Sequence, residues 1–156
     1  MKIFLKFLIV LYVALPRTID ALEVGKWSFE KADEYCYIGS LATETDLPSD
    51  KIRGNFYVLV YKNIGNPDSV VQIEAGYSYK VPSDIFVKID NGEYKFYTTE
   101  DLPTAAWTEE DSKVIFAMKK GLELNVTGES SRGTITNDTY TLNGFTAAYN
   151  KLTNDC

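Results

Sequence analysis

The sequence predicts a mainly β, antiparallel β-sandwich or barrel-like domain with two short helices, at about 108–120 and 145–152. Three observations carry this expectation. Apolar residues recur with period two in several short segments separated by turn residues. An Asp90-Asn91-Gly92 triplet sits between two alternating runs, where Asn-Gly favours the tight turn of a hairpin. The aromatic residues, 11 Tyr and 8 Phe, are of the type that packs well on a pleated surface.

The chain opens on a segment of a different kind. Lys2 and Lys6 make a short basic start, Phe7 to Leu15 an apolar run of nine residues, and Pro16 breaks any helix. Ile19-Asp20-Ala21 then places a small residue where a signal peptidase cuts. Spanning a bilayer takes roughly 20 apolar residues, so residues 1–21 are expected to be a removable signal peptide rather than a stable transmembrane anchor. Residues 22–156 then form a single β-rich domain, within the usual one-domain range of about 100–200 residues.

Tyr35-Cys36-Tyr37-Ile38 reads as an apolar first strand. Phe56 to Tyr61 is apolar on both phases, which predicts a central strand covered on both sides. Asn63-Ile64-Gly65-Asn66-Pro67-Asp68 is a turn. It leads into a segment with Val71, Ile73, Ala75, Tyr77 and Tyr79 on one face and Val70, Gln72, Glu74, Gly76 and Ser78 on the other, an antiparallel neighbour of the run before it.

Ile85 to Ile89 and Glu93 to Tyr97 flank the Asn-Gly turn as a hairpin. The triplet lacks the alternating acidic ligands and closing Glu of a calcium loop. Thr108-Glu109-Glu110-Asp111 has the acidic first turn of a helix that runs through Val114, Ile115 and Met118 and ends at Lys119-Lys120-Gly121, with Trp107 expected under its first turn. Leu122, Leu124 and Val126 alternate with polar residues. Gly128 to Gly133 turns the chain into a threonine-rich strand from Thr134 to Leu142, a second hairpin, and Phe145 to Leu152 closes the chain as a helix of about two turns.

Charge narrows the partners. The chain carries 16 basic and 22 acidic residues, a net charge of −6; three basic residues and one acidic residue leave with residues 1–21, which takes the domain to −8. That sign opposes nucleic-acid phosphates and anionic lipid surfaces, and only Lys119-Lys120 are adjacent cations within the domain, so no nucleic-acid footprint is expected.

The chemistry is narrowed further by the absence of histidine, the commonest general base and transition-metal ligand. Ser-His and Cys-His nucleophile systems are excluded. No Ser-x-x-Lys pattern surrounds Ser130 or Ser131, and Arg132 beside them is no base near neutral pH. Glu109, Glu110 and Asp111 have a structural reason to stand at a helix start, and no phosphate-binding glycine loop occurs. The expectation is no enzyme, no catalytic residues, no cofactor and no metal. Asn125-Val126-Thr127 and Asn137-Asp138-Thr139 match the glycosylation acceptor pattern, a three-residue motif with a high false-positive rate.

Two features remain as candidate sites. Cys36 and Cys156, in an oxidising compartment, form either an intrachain disulfide closing about 120 residues or leave Cys156 unpaired or bridged to another chain. Tyr77, Tyr79, Tyr94 and Tyr97 are the candidate binding patch, an exposed aromatic surface, with half-buried sheet packing as the alternative.

The run GLELNVTGESSRGTITNDTYTLNGFTAAY, Gly121 to Tyr149, resembles the C-terminal signature of the invasion-associated locus B family of exported alphaproteobacterial proteins. Gly144 to Ala148 is its most recognisable part. Similarity extends back through Lys120-Gly121, Ala106-Trp107 and Phe86 to Asp90, to Trp27 and Cys36, nearly the whole of residues 22–156. The resemblance implies a β-rich protein secreted to the periplasm or envelope, in a family named for members linked to entry into host cells. It brings no catalytic residues. The leading expectation is an exported non-enzymatic protein, at the periplasm, the outer surface or secreted, that binds an unknown protein or envelope component and contributes to host-cell invasion. An envelope structural or stress-related factor without a host partner is the first alternative, and a histidine-free hydrolase using two converging carboxylates the second.

Overall fold

The computed structural model describes residues 21–156, so the expected signal peptide, ending at Ala21, lies outside the described residues but for that last position. Along the chain follow β1 (Ser28–Lys31), β2 (Tyr35–Leu41), β3 (Glu44–Thr45), β4 (Tyr57–Asn63), β5 (Val70–Glu74), β6 (Ile85–Ile89), β7 (Gly92–Phe96), β8 (Ala105–Trp107), α1 (Asp111–Lys120), β9 (Glu123–Glu129), β10 (Ile135–Thr141) and α2 (Phe145–Asp155). The strands form two antiparallel five-stranded sheets, ordered β1-β2-β4-β5-β8 and β3-β10-β9-β6-β7. Each sheet keeps two edges, so the architecture is a β-sandwich and not a closed barrel.

Alternation builds the core. Cys36 and Ile38, Val58 and Val60, Val71 and Ile73, and Ala106 point inward from the first sheet. Ile85, Val87, Phe96, Leu124, Val126 and Tyr140 meet them from the second. Each large apolar side chain taken out of water here contributes about 1.5–3 kcal/mol, and the period-two pattern ensures that a one-residue slip would turn the whole set to solvent.

Three expectations are corrected. The run at Phe56 to Tyr61 is central, between β2 and β5, but no second sheet among the described residues covers its outer side. Tyr57 is nonetheless buried, and the Leu22 and Leu59 side chains lie over Gly39. The alternating segment expected through Tyr79 stays in the first sheet only to Glu74, because Gly76 takes φ +68° and turns the chain away, and Tyr79 bridges to Ser130 instead. Trp107 is a strand residue whose N–H and carbonyl both bond Tyr97; its side chain shares the outward phase of Gln72 rather than packing under a helix.

The hairpin at residues 89–92 forms as expected, with the positive φ at Asp90 (+48°) rather than at the glycine. The Asp90 carboxylate accepts N–H bonds from Leu122 and Glu123, which ties this turn to the start of β9.

α1 starts at Asp111, three residues later than expected, since the Thr108 hydroxyl accepts the N–H of Glu110 and holds that stretch as a turn. Asp111 accepts the N–H of Val71 at 2.7 Å, just beyond the point where β8 stops pairing with β5. α2 begins after Gly144 at φ +84° and buries Phe145, Ala148 and Leu152, the i, i+3, i+7 stripe of an amphipathic helix. Trp27 meets Phe145 edge-on at 4.9 Å and donates its indole N–H to the Thr141 carbonyl. Cys36 and Cys156 are joined within the chain, with Cα atoms 5.8 Å apart. The helices and this disulfide therefore close one end of the sandwich. Among the described residues no helix is long and apolar enough to cross a membrane.

Candidate functional site

The opposite end of the sandwich is open, and a polar cluster organises it. On β10 the inward phase runs Thr136, Asp138, Tyr140, which places a carboxylate inside the sheet stack. A buried charge requires a partner. Arg53, from the segment between β3 and β4, supplies it with two parallel bonds: Nη1 to Oδ1 at 2.8 Å and Nη2 to Oδ2 at 2.9 Å, the two side chains 5% and 4% exposed. Thr45 donates its hydroxyl to the same carboxylate, and Arg53 Nε donates to the Ala75 carbonyl. The guanidinium lies over the Phe56 ring at 3.7 Å and faces Tyr77 at 4.9 Å. Each of its three nitrogens donates a hydrogen bond, so Arg53 is a strut that pins residues 46–56 onto β10, not a free cation for a ligand.

Two glycines let that strut approach. Gly54 donates its N–H to the Gly76 carbonyl at 2.8 Å, and a Cβ on Gly76 would drive into the Gly54 backbone. This contact sets Arg53 and Tyr77 side by side. Tyr77 then shares a hydrogen bond with the Thr136 hydroxyl at 2.8 Å and packs edge-on against Tyr79, centroids 5.4 Å apart, over the space Gly128 leaves open. Burial pushes the phenols of Tyr77, Tyr79 and Tyr140 up, so none of them is a base near neutral pH; the Thr136 bond and Arg53 offset part of this at Tyr77. The Tyr140 hydroxyl has no partner among the described residues.

The third wall is the β9–β10 turn. Gly133 adopts φ +83°, the Ser130 hydroxyl accepts the Thr134 N–H, and Ser131 donates its N–H to the Ser78 carbonyl. Lys51 reaches across to the Thr134 hydroxyl at 3.0 Å. Between these walls lies an open cleft of about 700 Å³, lined by Lys51, Ile52, Tyr77, Ser131, Arg132 and Thr136 among others. Among the described residues Asp50 is the one carboxylate on its lining. Lys80 holds Glu129 in an ion pair nearby.

The four tyrosines expected to form one exposed patch are distributed instead. Tyr77 lines the cleft and Tyr79 is buried beneath it. Tyr94 stands half-buried on the inner phase of β7, opposite Val87. Tyr97 is 45% exposed in a separate depression with Val81 and Pro82. An aromatic surface does exist, on the outer face of the first sheet, where Tyr35, Tyr37, Leu59 and Tyr61 line a shallow hollow with Asn63 and Gln72. The readable signal was that the outward tyrosines of β2 and β4 share a phase, and the register pairs Tyr37 with Tyr61.

The remaining candidates take structural roles. Glu110 pairs with Lys113, and Asp111 serves Val71. Asn125 and Asn137 accept hydroxyl bonds from Thr139 and Thr127 of the partner strand, so each acceptor-like triplet is half of a cross-strand ladder. Among the described residues no group of three or more Cys, Asp or Glu is placed to hold a metal ion. Sequence reasoning missed Arg53, Lys51 and Arg132. The available signal was Asp138, a carboxylate on the buried phase of a strand.

The family model described as Invasion associated locus B (IalB) protein matches residues 28–153. Among solved structures, the crystal structure of invasion associated protein b from Bartonella henselae is similar in fold, with a TM-score of 0.58 at 19% identity, covering 83% of this chain and 92% of that one. No curated protein matches the chain.

Proposed function

Since the chain belongs to the invasion associated locus B family, we propose that it is an exported, non-enzymatic binding protein with an invasion-related role, and that it engages an envelope or host component through the cleft opposite the disulfide. The observation that carries this is the cleft itself. Its walls are fixed from beneath by the Arg53–Asp138 pair and the Gly54–Gly76 contact, so a preformed concave surface is presented by otherwise irregular backbone. Ile52 on its lip is 99% exposed, an apolar side chain left in water at a surface suited to a partner. Export is supported by the leader-like residues 1–21 and by a disulfide of the kind that persists in oxidising compartments. The non-enzymatic reading is supported by the lack of histidine and by a single cleft carboxylate, where a carboxylate-pair hydrolase needs two.

The test is a cleft-filling variant. Ser131→Trp places an indole at an exposed turn position without touching the core. A parent bacterium complemented with this variant should enter host cells no better than one lacking the gene, while the variant protein keeps its disulfide and its far-UV circular dichroism. Full entry with Ser131→Trp would overturn the proposal.

A further inference from the structure

Resting on the reading of the cleft as the binding surface, we propose that its ligand is an acidic saccharide: a short oligosaccharide bearing carboxylate or sulfate groups. The first ground is charge. The chain as a whole carries −6, yet the cleft lining holds Lys51, Arg53 and Arg132 against Asp50 alone. Arg53 is neutralised by Asp138. Lys51 is bonded to a neutral hydroxyl, and none of the ion pairs among the described residues includes Arg132. Lys51 and Arg132 against Asp50 thus leave one net positive charge on a concave surface of an acidic protein, which favours an anion there.

The second ground separates a sugar from a simple anion. A compact phosphate site is built from converging backbone N–H groups. In the β9–β10 turn those of Ser130, Ser131, Gly133 and Thr134 are already bonded to Thr134, Ser78, Ser130 carbonyls and the Ser130 hydroxyl. What remains for a ligand is side-chain chemistry: long cationic arms together with the hydroxyls of Ser78, Ser131 and Thr134. Hydroxyls both donate and accept, which suits the mixed hydroxyl array of a sugar ring, while the cations address its acidic substituents. A volume of about 700 Å³ lies in the range of small-molecule sites and accommodates a few sugar units.

The experiment measures binding of three tetrasaccharides to the purified protein by calorimetry at low salt: sulfated heparin tetrasaccharide, tetragalacturonate and neutral maltotetraose. Both acidic probes are expected to bind, with affinity falling as salt rises, and maltotetraose to bind at least tenfold more weakly. Lys51→Gln combined with Arg132→Gln should lower the affinity for the acidic probes at least tenfold. The charge-matched pair Lys88→Gln with Lys95→Gln, on the outer face of the second sheet, should change it less than twofold. Equal binding of maltotetraose, full affinity in the cleft double variant, or displacement of the acidic probes by equimolar inorganic phosphate or phosphatidylglycerol vesicles would each overturn the proposal. Its failure is distinct from that of the function above: loss of entry with Ser131→Trp alongside no acidic-saccharide binding keeps the cleft as the working surface and discards only the sugar.

Discussion

Arg53 and Asp138 face each other inside the sandwich as a bidentate pair, joining a segment without regular structure to the middle of β10 across 85 residues of sequence. Everything at the open end of the fold is arranged around this pair. Thr45 bonds its carboxylate, Ala75 receives its third N–H donor, and the Phe56 and Tyr77 rings enclose its guanidinium.

Removing one member leaves the other charge buried. Asp138→Ala should destabilise the protein by about 3–5 kcal/mol, read as a lower midpoint in urea. Replacing both, as Arg53→Met with Asp138→Leu, should cost less than Asp138→Ala alone, because no unpaired charge is left behind. A double variant as unstable as the single one would show that the cost lies in losing the pair itself and not in leaving a buried charge uncompensated.

The fold class was legible in the sequence because alternation is a local property. Val71 and Ile73, or Leu124 and Val126, declare their faces without reference to any other part of the chain. The hairpin turn at Asp90-Asn91 and the stripe of α2 were legible for the same reason. The cleft was not. Lys51, Tyr77 and Arg132 are separated by up to 81 residues and meet only because Gly54 and Gly76 touch, a contact with no periodic trace. The tyrosines at 77, 79, 94 and 97 share a residue type but not a surface, since Gly76 turns the first two out of β5 while the last two belong to the other sheet and its exit.

The two glycines give a paired prediction. Gly76 and Gly65 both have positive φ, +68° and +84°, so an alanine at either meets the left-handed backbone penalty of about 1–2 kcal/mol. At Gly65 nothing lies within 4 Å, and Gly65→Ala should show that penalty alone. At Gly76 the new methyl also collides with the Gly54 backbone, which has no rotamer to move away. Gly76→Ala should therefore be the more damaging by a further 2 kcal/mol or so, and should lower tetrasaccharide affinity as Tyr77 shifts. Equal unfolding midpoints for the two variants would contradict the close approach.

The disulfide sits at the far end from the cleft, and stability and binding should separate accordingly. Cys156→Ser opens a loop of 120 residues in the unfolded chain and should cost up to about 4–5 kcal/mol, seen as a lower melting temperature. The folded variant should still bind through the cleft with unchanged affinity, because Lys51, Arg132 and the Arg53–Asp138 strut make no contact with α2. A parallel loss of affinity at temperatures where the variant is folded would place the tail in the binding surface.

Two carboxylates should give opposite pH signatures. Burial raises the Glu74 carboxyl above the ordinary glutamate value of 4.5, although the Thr104 hydroxyl and the Gly76 N–H pull it back. A raised value means the folded state holds the proton more tightly, so the stability tied to Glu74 is complete below about pH 4.5 and is lost as pH rises through the folded value. Glu74→Gln, which does not titrate, should thus be more stable than the parent at pH 7 and lose that advantage at pH 4 and below. Asp46 behaves the other way. Asn137 donates both its backbone and its side-chain N–H to it, at 2.7 and 2.6 Å, and these bonds hold its carboxyl below the ordinary 3.8. Its contribution is present above that value and lost as pH falls through the folded one, so Asp46→Asn should weaken the protein at pH 7 and match the parent in strong acid. Urea midpoints of the two variants against the parent, taken from pH 2.5 to 7, should therefore move apart in opposite directions as pH rises; curves that run parallel to the parent would remove Glu74 and Asp46 as the source of its pH response.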